Sequence, residues 1–336
     1  MKFSLKIISF IVFISIFFVC KNSFSDIEER LKLIELQKEN ISIIEIENNR
    51  DFKKGDSRKN LVILSEKIKR YKPSVIFFNM AFVLKMGNEA EFAKELNREI
   101  RTISLIDLNS SDRELGLSPE AERWIGKAIK GTINDSYFVH SWDFTGISIP
   151  PVDMILRSKY LCSYISYLNL DNIKETLYPY NRYGKYLFEN CSITIANELI
   201  ADTGFRIQFD LSNFKFGLYS SWIDYFGLVR YFATRGDEEG GIPIRYKDFK
   251  TYSFSDFIRT NDKSINPGGV IIVNGENRLL KTPGNQDRSE GSIIASEVYT
   301  LLYEASRPLS FLDSFRIFCY SFSTMVRSLT KGKITF

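Results

Sequence analysis

The chain has 336 residues, a net charge of +4 at pH 7 and a hydrophobic content of 44%, which is ordinary for a globular protein. Its first 25 residues contain three lysines and no acids, so the other 311 residues carry nearly balanced charge. A nucleic-acid-binding domain needs a basic surface, so the composition gives no basis for such a partner and none is predicted.

The first 25 residues have the layout of a secretory signal peptide. Lys2 and Lys6 precede the nearly continuous apolar run Ile7–Val19, and Ser23 and Ser25 occupy the positions that a signal peptidase reads. The pattern predicts cleavage after Ser25 and an exported protein that is periplasmic, secreted or on the cell surface.

Two other readings of this N-terminus stay open. Cys20 stands where a lipoprotein carries its lipid-modified cysteine, although Val19 occupies a position that normally holds a small residue. An uncleaved anchor is the third reading, but the 13-residue run is shorter than the roughly 20 residues that span a bilayer. Contact with a membrane is predicted only through such a lipid or uncleaved segment.

The cysteines and the single histidine do not indicate a metal or cofactor site. Cleavage after Ser25 leaves Cys162, Cys191 and Cys319, which form no CxxC pair and are predicted to be buried thiols. A Cys162–Cys191 disulfide is the alternative, because these two are the nearest in sequence. With one histidine and no cysteine cluster, no metal and no cofactor is predicted.

Residues 26–131 are predicted to be a helical region. A first helix begins near Ile27, breaks near Asn40 and includes the Ile41–Ile46 cluster, and a second covers Lys59 to Tyr71 before Pro73. Residues 74–106 then resemble one tetratricopeptide-type helical hairpin around a Gly-Asn turn, with an ordinary helical hairpin as the alternative.

Residues 132–336 are predicted to mix helices and strands. Helices are expected over 154–168 and 183–201, and hairpins near 205–219 and 270–280. A C-terminal helical pair is split by Pro308, and its second helix carries an aromatic stripe that includes Phe311, Phe315 and Phe318. This stripe is predicted to lie in the core, with a partner-binding or membrane-surface face as the alternative. The predicted fold is therefore mainly α with a small antiparallel β element in the C-terminal half, α+β overall.

Catalytic candidates are few. His140 with the nearby Asp143 could form a general base, and the Asp237-Glu238-Glu239 loop could supply an acid or base. The alternatives are a partly buried histidine among aromatic residues and a solvated charged loop.

Two groups of residues are predicted to bind ligands. Tyr160, Tyr164 and Tyr167 share one face of the predicted helix over 154–168, where flat rings with polar tips suit sugar or peptide partners. Arg278, Lys281 and Arg288 precede a helix predicted near Ser292 and could meet an anion at its start. Ring packing between helices and an exposed connector are the respective alternatives.

The resulting functional hypothesis is an exported, non-catalytic protein of a bacterial envelope that binds a protein or an envelope polymer. An envelope hydrolase that uses His140 or the 237–239 loop is the alternative. A third hypothesis, a lipid-anchored surface protein, differs mainly in location.

Overall fold

The computed structural model describes residues 24–46, 57–80, 101–109, 126, 129–132, 143–144, 146–148, 160–164, 174–183, 186–210, 213, 215–220, 227–232, 241–259, 269–275, 279–317 and 319. Six parallel strands form the centre of the fold, and helices pack on both faces of their sheet. The protein is therefore α/β, and the predicted mainly α fold is wrong.

The described strands are β1 (Ile41–Glu45), β2 (Val75–Asn79), β3 (Arg101–Asn109), β4 (Ile129–Thr132), β5 (Asp143–Phe144), β6 (Gly146–Ser148), β7 (Tyr160–Tyr164), β8 (Thr176–Leu177), β9 (Tyr180–Tyr183), β10 (Tyr186–Glu189), β11 (Phe205–Asp210), β12 (Lys215–Ser220), β13 (Gly227–Tyr231), β14 (Ile242–Pro243), β15 (Lys250–Ser253), β16 (Val270–Asn274), β17 (Leu279–Thr282) and β18 (Gln286–Ser289). The described helices are α1 (24–37), α2 (Ser57–Tyr71), α3 (Cys191–Leu199), α4 (Phe254–Arg259), α5 (Glu290–Ser306) and α6 (311–317). A single 3-10 turn, Ala201–Thr203, follows α3.

The central sheet has the order β15-β1-β16-β2-β3-β7, with all neighbours parallel. The short strand β6 adds to the far end of β3 in the antiparallel direction. Strand β16 lies between β1 and β2, although it follows them by about two hundred residues in the chain. The sheet thus contains strands from both sides of the region boundary predicted at Gly131.

Alternate side chains of these strands face two different cores. On one face, Ile43, Phe77 and Ile272 pack with α1, α3 and α5. On the other face, Ile44 and Phe78 pack with α2 and α4. The result is a doubly wound, three-layer arrangement, in which the ends of the strands are the places where loops from both faces meet.

The main error of the sequence reading concerns short apolar runs. The runs ISIIE, VIFFN and VIIVN are strands, because a parallel strand buried on both faces is apolar at nearly every position instead of alternating. The first helix does end before Asn40, but Ile41–Ile46 was wrongly assigned to a helix. The predicted helical hairpin over 74–106 is wrong for both of its described segments, because they form β2 and the start of β3.

Three further elements of the C-terminal half differ from prediction. The predicted helix over 154–168 contains β7, and the one over 183–201 is reduced to α3 after strands β9 and β10. The hairpin near 270–280 is also wrong: β16 pairs in parallel with β1 and β2, and the hairpin that follows is β17–β18.

Elements with a clear period were predicted correctly. The helix α2 covers the expected segment, and β11 pairs with β12 as the expected antiparallel hairpin, with buried residues alternating along β11. The apolar face of α5 is fully buried, including Ile294, Val298 and Leu301. Where one face of an element is exposed to solvent, the spacing of its apolar residues shows whether it is a helix or a strand.

Two of the four cysteines are joined. The Sγ atoms of Cys162 and Cys191 are 2.13 Å apart, so a disulfide ties β7 to the first residue of α3 inside the core. Cys319 is exposed. The prediction of three buried thiols is therefore wrong, and the Cys162–Cys191 alternative is the one that the structure forms.

The aromatic stripe of the last helix is not buried where it is described. Phe311 is 87% exposed and Phe315 is 55% exposed, while Phe318 lies outside the described residues. Within the part of the chain that the structure describes, no helix is both long and apolar enough to cross a bilayer.

Candidate functional site

Three neighbouring parallel strands end in polar side chains at the same edge of the sheet. Glu45 ends β1, Asn274 ends β16 and Asn79 ends β2, and the three residues are in register. The start of α5 adds Ser289 and Glu290 above them. We call these five residues the polar ladder. Ligands of doubly wound sheets bind outside the carboxyl ends of the strands, which is where the polar ladder lies.

Hydrogen bonds between side chains run across the three strands. Asn79 Nδ2 donates to Asn274 Oδ1 at 2.8 Å, and Asn274 Nδ2 donates to Glu45 Oε2 at 2.6 Å. The amide groups are thereby aligned in one direction, from β2 towards the carboxylate on β1. Because Glu45 is an acceptor when ionised, it fixes the orientation of both amides.

The first turn of α5 closes the other side of the polar ladder. Ser289 is the N-cap residue: its Oγ accepts from the Ser292 backbone N–H at 3.2 Å and donates to Glu45 Oε1 at 2.5 Å. Glu290 Oε2 lies 3.3 Å from Asn79 Nδ2. Both carboxylates therefore lie at the helix N-terminus, where the exposed N–H groups and the helix dipole favour negative charge.

The backbone of α5 approaches β16 closely at Gly291. A Cβ atom at this position would be 2.9 Å from Asn274 Cβ and 3.2 Å from Ile43 Cγ2. The site has room only for glycine, because any side chain would push the start of α5 away from β1 and β16.

We expect Gly291→Ala to lower the free energy of unfolding by about 1–3 kcal/mol, since the added methyl group overpacks a buried contact. Urea denaturation followed by circular dichroism measures this. Asp287→Ala, an exposed change in the preceding hairpin, is the matched control and is expected to leave the midpoint unchanged. Equal midpoints for the two variants would contradict the close approach.

One acceptor of the polar ladder is buried without a partner. Asn79 is 1% exposed, and among the described residues its Oδ1 atom accepts no hydrogen bond. Asn274 beside it is 0% exposed and Glu290 is 4% exposed. A buried polar atom without a partner costs about 1–3 kcal/mol, so this atom marks a point where an external donor would be favourable.

A second buried polar cluster lies two turns further along α5. Lys174 Nζ is 3.3 Å from Glu297 Oε1, and Ser192 Oγ donates to Glu297 Oε2 at 2.5 Å. Burial raises the pKa of Glu297 above its ordinary 4.5, and Lys174 and Ser192 oppose that shift. Burial also raises the pKa of Tyr164, whose ring lies beneath Lys174.

This second cluster does not have the geometry of a serine nucleophile site. Ser192 and Glu297 are both 0% exposed and Lys174 is 3% exposed. A nucleophile has to reach its substrate, and here the hydroxyl hydrogen is already donated to the carboxylate inside the core. The cluster therefore holds α3 and α5 together.

The predicted tyrosine surface does not form on a helix at the two described positions. Tyr160 and Tyr164 lie in strand β7 and not on a helix, and Tyr164 is only 3% exposed. Tyr167 lies outside the described residues. Their ligand-binding role stays a prediction, but the shared helical face on which it depended does not exist at the two described positions.

Carboxylates of the protein itself occupy the predicted anion site at the start of α5. Arg288 pairs with Asp248 at 2.8 Å, and Lys281 is exposed on β17, while Arg278 lies outside the described residues. The helix start itself faces the carboxylates of Glu45 and Glu290. Because those carboxylates already lie there, the positive end of α5 does not favour an added anion.

Most of the predicted catalytic residues lie outside the described part of the chain. His140 and the Asp237-Glu238-Glu239 loop lie outside the described residues, and Asp143 is placed in β5 without a described side chain. The sequence does not predict Glu45 or Asn79 as site residues, and it places Asn274 only at the start of a candidate binding loop over 274–291. The available signal was that each is the first polar residue after a nearly continuous apolar run.

No protein-family model, no curated protein and no solved structure matches the chain. Within the described ranges, no group of three or more His, Cys, Asp or Glu side chains could hold a metal ion. The polar ladder therefore has to be interpreted from its own chemistry.

Proposed function

We propose that this protein is an exported binding protein of a bacterial envelope, and that it binds a small polar ligand at the polar ladder. The observation that carries the proposal is the buried Oδ1 atom of Asn79, which has no hydrogen-bond partner among the described residues. Glu290 lies beside the amide of the same side chain, and Glu45 lies two strands away at the other end of the polar ladder. Glu45 and Ser289 are only half-buried, so the polar ladder is reached from their side. The buried disulfide supports the exported location, because disulfides persist in oxidising compartments.

The chemistry of the polar ladder selects the ligand class. An amide oxygen accepts hydrogen bonds, so the ligand contributes an N–H or O–H donor. Glu290 beside Asn79 and Glu45 at the other end of the polar ladder add negative charge, which favours a donor that carries positive charge. The ligand is thus a small molecule with an ammonium or guanidinium group.

The alternative hydrolase hypothesis stays a prediction. Its candidate residues His140 and the 237–239 loop lie outside the described residues, and the buried Ser192 is inaccessible to a substrate. The third hypothesis, a lipid at Cys20, concerns location and is compatible with binding at the polar ladder.

A thermal-denaturation series with putrescine and arginine as cationic probes and succinate as an anionic probe tests the proposal. We expect a cationic probe to raise the melting temperature of the wild-type protein with increasing concentration, because a ligand that binds only the folded state stabilises it. Asn79→Ala is expected to lose this shift, and succinate is expected to give none.

The matched control is Asn181→Ala. Asn181 is also a buried amide, but it donates to Ser163, away from the polar ladder. This variant is expected to be less stable while keeping the probe-dependent shift. An equal shift in the Asn79 and Asn181 variants, or no shift with either cationic probe in the wild type, would refute binding at the polar ladder.

A further inference from the structure

The helix α6 presents large apolar side chains to solvent. Phe311 is 87% exposed, and Leu312 and Phe315 are each 55% exposed. Positions i, i+1 and i+4 together span about 100° of the helix circumference, so the three side chains form a single apolar face. We call this the α6 face.

The opposite side of α6 is fixed to the protein. Ile317 is 0% exposed, and Asp313 lies 4.0 Å from Arg230 Nε. The guanidinium of Arg316 lies 5.5 Å from the ring centre of Tyr231. The Ser310 hydroxyl and the Asp313 carboxylate each accept from the other residue's backbone N–H, which caps the helix. The α6 face is therefore held outward by contacts on the other side of the same helix.

The position of α6 relates it to the N-terminal segment. Pro308 and Leu309, which lead into α6, line a groove of about 550 Å³ together with Glu28 and Leu31 of α1. The helix α6 thus begins beside the first turns of α1. In the sequence, four residues separate the apolar run Ile7–Val19 from the start of α1. Four residues reach at most about 14 Å. In the two interpretations that keep the protein at a membrane, an uncleaved run or a lipid on Cys20, the attachment point therefore lies close to the start of α1 and brings the bilayer surface close to α6; the inference rests on one of these two forms.

We propose that the α6 face inserts into the interfacial region of a lipid bilayer. Aromatic and leucine side chains on one side of a short helix enter the boundary between headgroups and acyl chains. Three side chains are also too few for a stable dimer, whose interface needs about 800 Å² from each partner. This contact goes beyond ligand binding at the polar ladder and does not depend on it.

Fluorescence quenching in the full chain tests this contact. Phe311→Trp introduces a tryptophan into the α6 face, and phosphatidylcholine vesicles with brominated acyl chains quench a tryptophan that reaches the acyl region. We expect strong quenching of the introduced tryptophan after subtraction of the signal of the parent chain. Leu279→Trp is the matched control, because Leu279 is 67% exposed but lies on β17; it is expected to stay unquenched.

A second variant separates local insertion from attachment through the N-terminus. Adding Leu312→Ser and Phe315→Ser to Phe311→Trp removes the apolar neighbours but leaves residues 1–25 unchanged. The vesicle concentration for half-maximal quenching is expected to rise about tenfold or more. The substituted residues are exposed, so an unchanged urea midpoint checks that the variant is folded.

Four results would overturn the proposal. Equal quenching at positions 311 and 279 would indicate general adsorption, and no quenching at 311 would exclude insertion. An emission shift of the introduced tryptophan that depends on protein concentration without vesicles would show that a second copy of the chain covers the α6 face. Quenching that persists in 1 M salt supports apolar insertion, and quenching lost at that salt concentration opposes it, because salt screens charge attraction but not apolar burial.

Discussion

Cys162→Ala combined with Cys191→Ala is expected to lower the free energy of unfolding by about 3–4 kcal/mol. The two cysteines are 29 residues apart, and a cross-link that closes a loop of this length removes that much chain entropy from the unfolded state. Urea denaturation of oxidised protein, compared with protein in a thiol reductant and with the double variant, measures the difference.

The matched control for this prediction is Cys319→Ala, which removes an exposed thiol. It is expected to leave the urea midpoint unchanged in both oxidised and reduced protein. If the reductant shifts the double cysteine variant as much as the wild type, the shift does not come from this disulfide. Equal midpoints for oxidised and reduced wild type would contradict the cross-link itself.

Lys174→Met is expected to lower the free energy of unfolding by about 3–5 kcal/mol, because it leaves the carboxylate of Glu297 buried without its cation. Adding Glu297→Gln removes that charge, and the double variant is expected to recover most of the loss. A double-mutant cycle in urea measures the coupling. Additive effects of the two substitutions would show that the pair does not interact.

The same pair gives a pH dependence with a defined sign. Burial raises the pKa of Glu297 in the folded protein above its ordinary 4.5. Between those two pKa values the folded state binds more protons at this site than the unfolded state, so the contribution of Glu297 to stability falls as the pH rises through that window. Glu297→Gln is expected to remove this fall, and Lys174→Met to extend it to higher pH, in urea midpoints measured from pH 4 upwards.

The sequence identifies most clearly the elements that have one solvent-exposed face. In α2, Leu64 and Ile68 are buried and Glu66 is exposed, and in β11 buried and accessible residues alternate. The helix α5 is mostly buried, and its length of 17 residues distinguishes it from a strand. The strands β1, β2 and β16 are buried on both faces, so their apolar runs carry no period that separates a strand from a helix. Flanking residues, such as Gly268-Gly269 before β16, were the remaining local signal.

The candidate site was harder to predict than the fold. Glu45, Asn79 and Asn274 are far apart in the chain, and their proximity depends on β16 lying between β1 and β2. Nothing local to Asn79 specifies that neighbour. The sequence predicts that the aromatic residues of α6 lie in the core, but Phe311 and Phe315 are exposed. Their helical spacing is equally compatible with a core face and with an exposed face.

The late position of β16 in the chain has a consequence for how the protein folds. Until residues 270–274 have emerged, β1 and β2 each have an edge that lacks its final neighbour, and their contacts span up to 229 residues of chain. Pairing between such distant segments is slow, because the closure entropy of the long loop comes before any contact is gained. A chain crossing a membrane from its N-terminus therefore cannot complete this sheet until most of its length is on the other side. The strand order thus delays completion of the central sheet until about four fifths of the chain is available.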